Sequence, residues 1–336
     1  MSLSAHPPSE SSSHPPSESF ASFEEIVVIN KRLWQDALDS IVEPPSPRFA
    51  PLDAADLAVV MVEFRTHEWL RATLWNIAHV YSSCSPSTTS TSTTYDAALV
   101  VVCGRANAAA VRGIVGGWLN VVVRVLDRDN CTIPEYNQLM TNAELYSLVD
   151  PCPAMLLTQT DTLTRKRAPK YMFQTYGYVG SPWIMPQKGG PINGLVGNGG
   201  YSLRNVALMK EACTSYAYDH AVDKAEDLFF AKRCKNVAPA LIAKSFSVEH
   251  VAHEDPCGMH QAWRFHRTSW IARWLKDLPG TVARDFLHEA QSISTTPQPT
   301  NPGCQNALST NSTAPTTPTI LVGNNNHVVA RKKIIL

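Results

Sequence analysis

Leu57 to Phe64 reads LAVVMVEF, an unbroken apolar run apart from one acid near its end. A run of this length suits a strand buried on both faces, as the strands of a parallel sheet are. Working outward, His67 to Tyr81 carries helical spacing through Leu70, Leu74, Ile77, Ala78 and Tyr81. Ala97 to Cys103 is a second buried strand, Asn107 to Gly116 is helix-like, Val121 to Leu126 is a third strand and Ala154 to Thr158 a fourth. Strands and helices alternating at this spacing predict parallel β-α units, and so an α/β sandwich around a mostly parallel central sheet. Ligands of such sheets bind outside the carboxyl ends of the strands. That rule singles out Glu63-Phe64-Arg65, Gly104, Asp127 and Gln159-Thr160-Asp161.

Composition narrows the function classes. Of 336 residues, 44% are hydrophobic and 17% charged, and 29 basic side chains cancel 29 acidic ones. A nucleic-acid binder would be expected to carry a basic excess. No apolar run approaches the roughly 18 residues that span a bilayer, and the first residues lack the basic-then-apolar layout of a secretory signal. Neither nucleic acid nor a transmembrane segment is therefore expected, and the cytoplasm is the favoured location. The eight cysteines form no CxxC pair, which gives no support to a zinc ribbon or a disulfide scaffold. Cys103 and Cys213 read as small core hydrophobes in a reduced chain.

The chain divides by composition. Residues 1–19 hold HPPSES twice, starting at His6 and His14, and 291–336 is rich in Thr, Ser, Pro and Asn. Such segments bury too little apolar surface to offset the entropy of ordering, so disordered ends are expected. Between them, 20–290 reads as one domain, with the Ser/Thr tract 82–94 as a loop insertion.

Candidate chemistry sits beyond the fourth strand. Asp161 is placed either to coordinate a divalent cation, since carboxylate oxygen suits Mg²⁺ and Mn²⁺, or to cap the following turn. Gly197-Asn198-Gly199-Gly200 is either a loop whose N–H groups approach an anion or an Asn-Gly hairpin turn. It matches neither GxGxxG nor GxxxxGK[ST], which disfavours a P-loop ATPase. Glu226-Asp227 precedes an apolar helical run. The pair either caps that helix or offers a general base at its start. His250, His253, His260 and His266 lie close enough in sequence to hold a metal, but no HExxH is present, so a zinc hydrolase is not expected.

Taken in order, these segments resemble a known family. QTD (159–161), YVGSPW (178–183), VGNGGYSLR (196–204), the ED pair (226–227) and FSVE (246–249) followed by a later His, with VEFRTH (62–67) and EYNQLM (135–140) upstream, are similar to a domain-of-unknown-function family regarded as glycosyltransferase-like. The resemblance runs from about Leu57 to Phe265 and implies the GT-A fold, a Rossmann-like α/β/α sandwich of nucleotide-sugar-dependent enzymes. It puts Asp161 at the metal-binding acid of a DxD motif, where Mn²⁺ or Mg²⁺ bridges the donor diphosphate. Gln159 replaces the first Asp, which lowers the charge and leaves metal-independent transfer open. Asp227, with Glu226 beside it, falls on the catalytic acid of an xED motif, which deprotonates the acceptor hydroxyl. His260 falls at a late metal- or phosphate-contacting position. Gly197, Asn198, Gly199 and Gly200 would line the sugar pocket, Trp183 would stack on a sugar ring, and Glu63, Arg65, Asn137, Gln159 and Arg204 would complete the substrate-binding set.

The implied activity is an inverting transfer from a nucleotide-diphosphate sugar to a hydroxyl of a glycan, protein or lipid. Many enzymes of this fold are tethered in the Golgi, which is the competing location. The alternative is an inactive member that binds a sugar or nucleotide, which the QTD departure motivates. A methyltransferase with GNGG as its cofactor loop ranks last, because such loops follow the first strand and this one follows the fourth.

Overall fold

A computed structural model describes residues 22–83, 95–183, 186–187, 190–191 and 195–282. The arm 1–19, the tract 84–94 and the tail 291–336 lie outside the described residues.

Helix α1 (Phe23–Asp39) starts at a capping box, in which Ser22 accepts from the Glu25 N–H and Glu25 reaches back to the Ser22 N–H. The expected alternation follows: β1 (Leu57–Val62), α2 (Leu70–Tyr81), β2 (Ala97–Cys103), α3 (Ala108–Val115) and β3 (Val121–Val125). Helices α4 (Ile133–Met140) and α5 (Ala143–Ser147) lead to β4 (Ala154–Thr158), β5 (Thr162–Thr164) and α6 (Lys170–Thr175). Five two-residue strands come next: β6 (Tyr178–Val179), β7 (Ser181–Pro182), β8 (Pro186–Gln187), β9 (Gly190–Pro191) and β10 (Val196–Gly197). Then come β11 (Tyr201–Asn205), α7 (Val206–Ser215), α8 (His220–Asp223), α9 (Glu226–Arg233) and α10 (Ala240–Phe246). The described chain closes with β12 (Ser247–Val248), β13 (Gly258–His260), a 3₁₀ turn at Ala262–Arg264 and α11 (Thr268–Lys276).

The main sheet has six strands in the order β3-β2-β1-β4-β11-β6. The first four are mutually parallel, and β11 runs antiparallel to both β4 and β6. Alternate residues of β1 serve different cores. Leu57, Val59 and Met61 pack with Leu74 and Ile77 of α2 and Val111 of α3, whereas Ala58, Val60 and Val62 pack with Tyr146, Met209 and Phe229 of α5, α7 and α9. Both faces are covered, which is why the LAVVMV run is apolar throughout. The α/β sandwich expected from the sequence is the observed architecture.

Strand β1 stops at Val62, two residues before the apolar run ends. Beyond it the N–H groups of Phe64 and Arg65 are taken by the Glu63 carboxylate at 3.0 and 2.9 Å, which removes them from the ladder. From β1 the chain winds outward through β2 to β3 and returns on the other side of β1 as β4. That reversal opens a crevice at the carboxyl ends of β1 and β4, the switch point where doubly wound sheets bind ligands.

A second, smaller sheet in the order β12-β13-β5 carries its own core. Leu163, Val248 and Met259 from its strands pack with Trp34 of α1, Trp263, and Ile271 and Trp274 of α11. Among the described residues no helix is long and apolar enough to cross a membrane.

Candidate functional site

The site begins at the β1–β4 crevice. Register pairs Met61 with Thr158, so Glu63 and Thr160 leave the sheet at the same level. Glu63 Oε2 accepts from the Thr160 hydroxyl at 3.0 Å and from Arg65 Nη2 at 3.0 Å, while Oε1 accepts from Arg65 Nε at 2.9 Å. Both carboxylate oxygens of Glu63 are thereby committed to the protein, and its task is to hold Arg65. The Arg65 side chain keeps 38% of its surface exposed. Its pKa is raised by the Glu63 hydrogen bond and, to a smaller degree, by the charges of Glu63 and Asp161.

Asp161 and His260 meet because β5 and β13 pair. Asp161 directly precedes β5, and the register sets Thr162 opposite His260, the last residue of β13. Asp161 Oδ1 lies 3.4 Å from His260 Nε2, while Oδ2 accepts from Gln261 Nε2 at 2.6 Å. Burial works against charge on Asp161, but the positive His260 ring beside it and the hydrogen bond from Gln261 bring its pKa down to about 2. Burial likewise opposes charge on His260, yet Asp161 and Glu249 lift it to about 10.

Whether these two residues suit a cation can be judged from their outward atoms. Asp161 Oδ1 and both ring nitrogens of His260 are buried and make no aligned hydrogen bond. Two donors of an octahedral ion, each about 2.1 Å from it, stand about 3.0 Å apart, near the observed 3.4 Å. An oxygen and an imidazole nitrogen are a donor set that Mn²⁺ accepts, and a cation between them would take the place of the ring proton. The pair fits a divalent ion as a two-membered set. Among the described residues no three His, Cys, Asp or Glu side chains converge on a metal site.

The other histidines do not join it. His266 Nε2 donates to the Glu249 carbonyl at 2.8 Å, His253 Nδ1 accepts from the Asp255 N–H at 3.2 Å, and the His250 ring packs edge-on against Phe265. The sequence cluster of four is dispersed in space.

The glycine loop joins two different sheets: β10 pairs with β7, and β11 with β4 and β6. The hairpin alternative is therefore excluded. Asn198 adopts a left-handed φ of 79°, its amide donates to Ser247 Oγ at 2.8 Å, and its Oδ1 accepts from the Tyr201 N–H at 3.2 Å. The Gly199 N–H is aimed at Asp227 Oδ2 at 3.1 Å. A Cβ on Gly199 would collide with the Glu226 carboxylate, and one on Gly200 with the His260 ring.

Glu226 and Asp227 open α9 but have different surroundings. Glu226 is buried against Arg204, whose Nη2 donates to its two oxygens at 3.0 and 3.2 Å. Arg204 also donates to Ser202 Oγ at 3.0 Å and Tyr146 Oη at 2.9 Å, and it lies over the rings of Tyr178 and Phe230. Arg204 has no exposed surface, which corrects its expected place among the substrate contacts: its charge is used to neutralise Glu226. Among the described residues no cation pairs with Asp227. Burial first, then the charges of Glu226 and Glu249, push its pKa up to about 7 against hydrogen bonds from the Gly199 and Leu228 N–H groups.

Three more residues expected at the substrate bond to the protein around the site. Asn137 spans the turn before α9, donating to the Lys224 carbonyl and accepting from the Glu226 N–H, both at 3.4 Å. Gln159 Nε2 donates to Tyr136 Oη at 2.9 Å, and the Gln159 N–H donates to the Gly200 carbonyl at 3.0 Å. Trp183 lies flat enough on Gly197 to leave no room for a Cβ there, and its indole N–H donates to Glu249 Oε2 at 2.6 Å. Only 8% of Trp183 is exposed, which leaves little ring face for a sugar.

Residues 121–260 match the profile of DUF5672, described as a protein of unknown function. This bears out the resemblance drawn from the motifs. The matched span takes in EYNQLM, QTD, YVGSPW, VGNGGYSLR, the ED pair, FSVE and His260, and it leaves out VEFRTH. Among solved structures, the chain is similar to a galactosyltransferase, LgtC, in complex with donor and acceptor sugar analogs, at 14% identity and a TM-score of 0.39, over 72% of this chain and 98% of that one. It is also similar to mouse xyloside xylosyltransferase 1 in its apo form, at 8% identity and a TM-score of 0.40, over 61% and 97%. No curated protein matches the chain.

Proposed function

We propose that the chain is a glycosyltransferase that moves a sugar from a nucleotide diphosphate to a hydroxyl acceptor with inversion. One observation carries the reading. Two acids with opposite proton affinities, Asp161 near 2 and Asp227 near 7, flank the glycine loop: the Gly199 N–H bonds Asp227, and Gly200 packs on the His260 ring beside Asp161. Carboxylates pushed apart in this way take different roles in one reaction.

Asp161 and His260 would hold a divalent ion, Mn²⁺ or Mg²⁺, which when bound supplies positive charge to the leaving diphosphate. Arg65, held in place by Glu63 and still partly exposed, adds a fixed guanidinium for the same oxygens. Asp227 accepts the proton of the acceptor hydroxyl as its oxygen attacks. A base with a pKa near the working pH is better matched to that transfer than an ordinary carboxylate. The Gly199 N–H keeps the Asp227 carboxylate oriented. Attack opposite the leaving group inverts the anomeric centre, so a product with retained configuration would remove Asp227 from this role.

A second reading, a binder without turnover, is favoured by Gln159, which occupies the first DxD position and is committed to Tyr136. One experiment separates the readings: thermal stability against a panel of nucleotide-diphosphate sugars, with and without Mn²⁺, for wild type and Asp161→Ala. A ligand at a hundredfold excess over Kd stabilises the native state by about 2.7 kcal/mol. The expected result is a Mn²⁺-dependent shift with one donor that is lost in D161A, accompanied by release of the nucleotide when an acceptor is added. A shift without release supports the binder, and no shift with any donor rejects both.

A further inference from the structure

Glu249 closes the FSVE segment and was given no role at the site, yet its carboxylate contacts both Trp183 and His260. It is the first residue after β12, and its backbone is pinned on both sides: its N–H donates to Ser181 Oγ at 3.1 Å and its carbonyl accepts from His266 Nε2 at 2.8 Å. Its carboxylate is divided between two partners. Oε2 accepts from the Trp183 indole at 2.6 Å, and Oε1 lies 3.2 Å from His260 Nδ1. Two residues earlier, Ser247 Oγ accepts from Asn198. One short segment thus touches β7, the glycine loop, the Trp183 ring and the imidazole.

We propose that Glu249 is a positioning residue, whose carboxylate turns the His260 ring so that Nε2 faces Asp161 and ties the Trp183 wall to that same point. The proposal rests on the reading of Asp161 and His260 as a cation pair. Both ring nitrogens face a carboxylate, so the metal-free ring carries a hydrogen on each. A cation beside Asp161 displaces the one on Nε2, while Glu249 keeps the one on Nδ1 and with it the ring's orientation. Outer partners of this kind fix ring orientation, and their loss lowers metal affinity about 10–100-fold. Were Glu249 present only to satisfy the indole N–H, glutamine would serve equally. A carboxamide has one oxygen, and once this accepts from Trp183 only an NH₂ remains toward His260. That NH₂ cannot accept from Nδ1, so a ring that has given Nε2 to a metal loses the partner that fixes its orientation.

The test uses the full chain and Mn²⁺ alone, titrated by calorimetry and by electron paramagnetic resonance, in wild type, D161A, E249Q and W183F. Long-range ¹H–¹⁵N spectra of the histidine rings are recorded on metal-free samples. The expected result is a 10–100-fold loss of Mn²⁺ affinity in E249Q and a loss of about threefold in W183F, which removes one hydrogen bond to Oε2. The His260 Nδ1-bound proton should be protected from exchange in wild type, D161A and W183F and unprotected in E249Q. Wild-type Mn²⁺ affinity in E249Q, with D161A impaired, overturns the Glu249 assignment and leaves the cation pair standing. Equal Mn²⁺ binding by wild type and D161A rejects the cation pair and this assignment with it. An unprotected Nδ1 proton in the wild type overturns the positioning role without recourse to any variant.

Discussion

Asp161 and Asp227 are both partly buried carboxylates, each next to a second acid (Glu249 across His260 in one case, Glu226 in the other), yet one sits near pKa 2 and the other near 7. Depth does not separate them. The difference lies in the cation: His260 stands between Asp161 and Glu249 and serves both, whereas Arg204 pairs with Glu226 and not with Asp227. A buried charge can therefore tune a neighbour by being withheld from it. Two acids of the same type are given different work by the direction in which the nearest positive group points.

The sharpest way to break this comparison is to remove the proton acceptor and keep its shape. With the donor and acceptor found by the stability panel, Asp227→Asn should lose about 10²–10⁴-fold in turnover, the range for a positioned acid or base, with the donor-induced shift unchanged. Turnover at the wild-type rate would end its role as base.

Next in size is Arg204→Met. It leaves Glu226 buried without its partner, which typically costs about 3–5 kcal/mol, measured by urea unfolding. It also adds uncompensated negative charge beside Asp227 and so widens the gap between the two acids. The double variant R204M/E226Q should recover part of the loss, and an undisturbed single variant would show that the pair holds nothing in place.

The smallest effect is a dependence on pH. Folded Asp227 keeps its proton up to about pH 7, whereas an unfolded Asp releases it near 3.9. Between those values the folded chain binds more protons, so stability falls as pH rises from about 4 to 7. The groups facing Asp227 are Glu226, Glu249 and the N–H groups of Gly199 and Leu228. D227N should flatten that slope and exceed wild type by roughly 2 kcal/mol above pH 7, about half of the roughly 4 kcal/mol that the full shift is worth, because the carboxylate is only partly buried, with no difference below pH 4. Activity should rise over the same interval with an apparent pKa near 7. Parallel stability profiles for the two proteins would mean that Asp227 is ionised throughout.

The sequence showed the parallel half of the fold clearly, because β1, β2 and β4 are buried on both faces and leave unbroken apolar runs. Strand β11 was hidden by its own chemistry. YSLRN holds a fully buried arginine, and arginine is so seldom enclosed that it reads as a surface or ligand residue. Helix α1 carried a legible capping box at Ser22 and Glu25 that the reading passed over. Strand ends pointed to Asp161, and the start of a helical run to Asp227. Glu249 was visible only as the last letter of FSVE, with no strand end or helix start to give it a role. Its meaning depends on β12 pairing with β13 and β13 with β5, a contact made between segments about a hundred residues apart, and strands of two or three residues have no periodicity to detect.

Only Asn198, Gly199 and Gly200 separate β10 from β11, and the two strands belong to different sheets. A stretch this short has almost no slack, since a residue spans at most about 3.6 Å. If the β7–β10 ribbon is pulled away from the main sheet, Asn198 must leave its left-handed turn, Gly199 must release Asp227, and Gly200 must slide off the His260 ring. The loop thus works as a mechanical gauge, in which a displacement of the ribbon by a few ångströms registers at both acids at once.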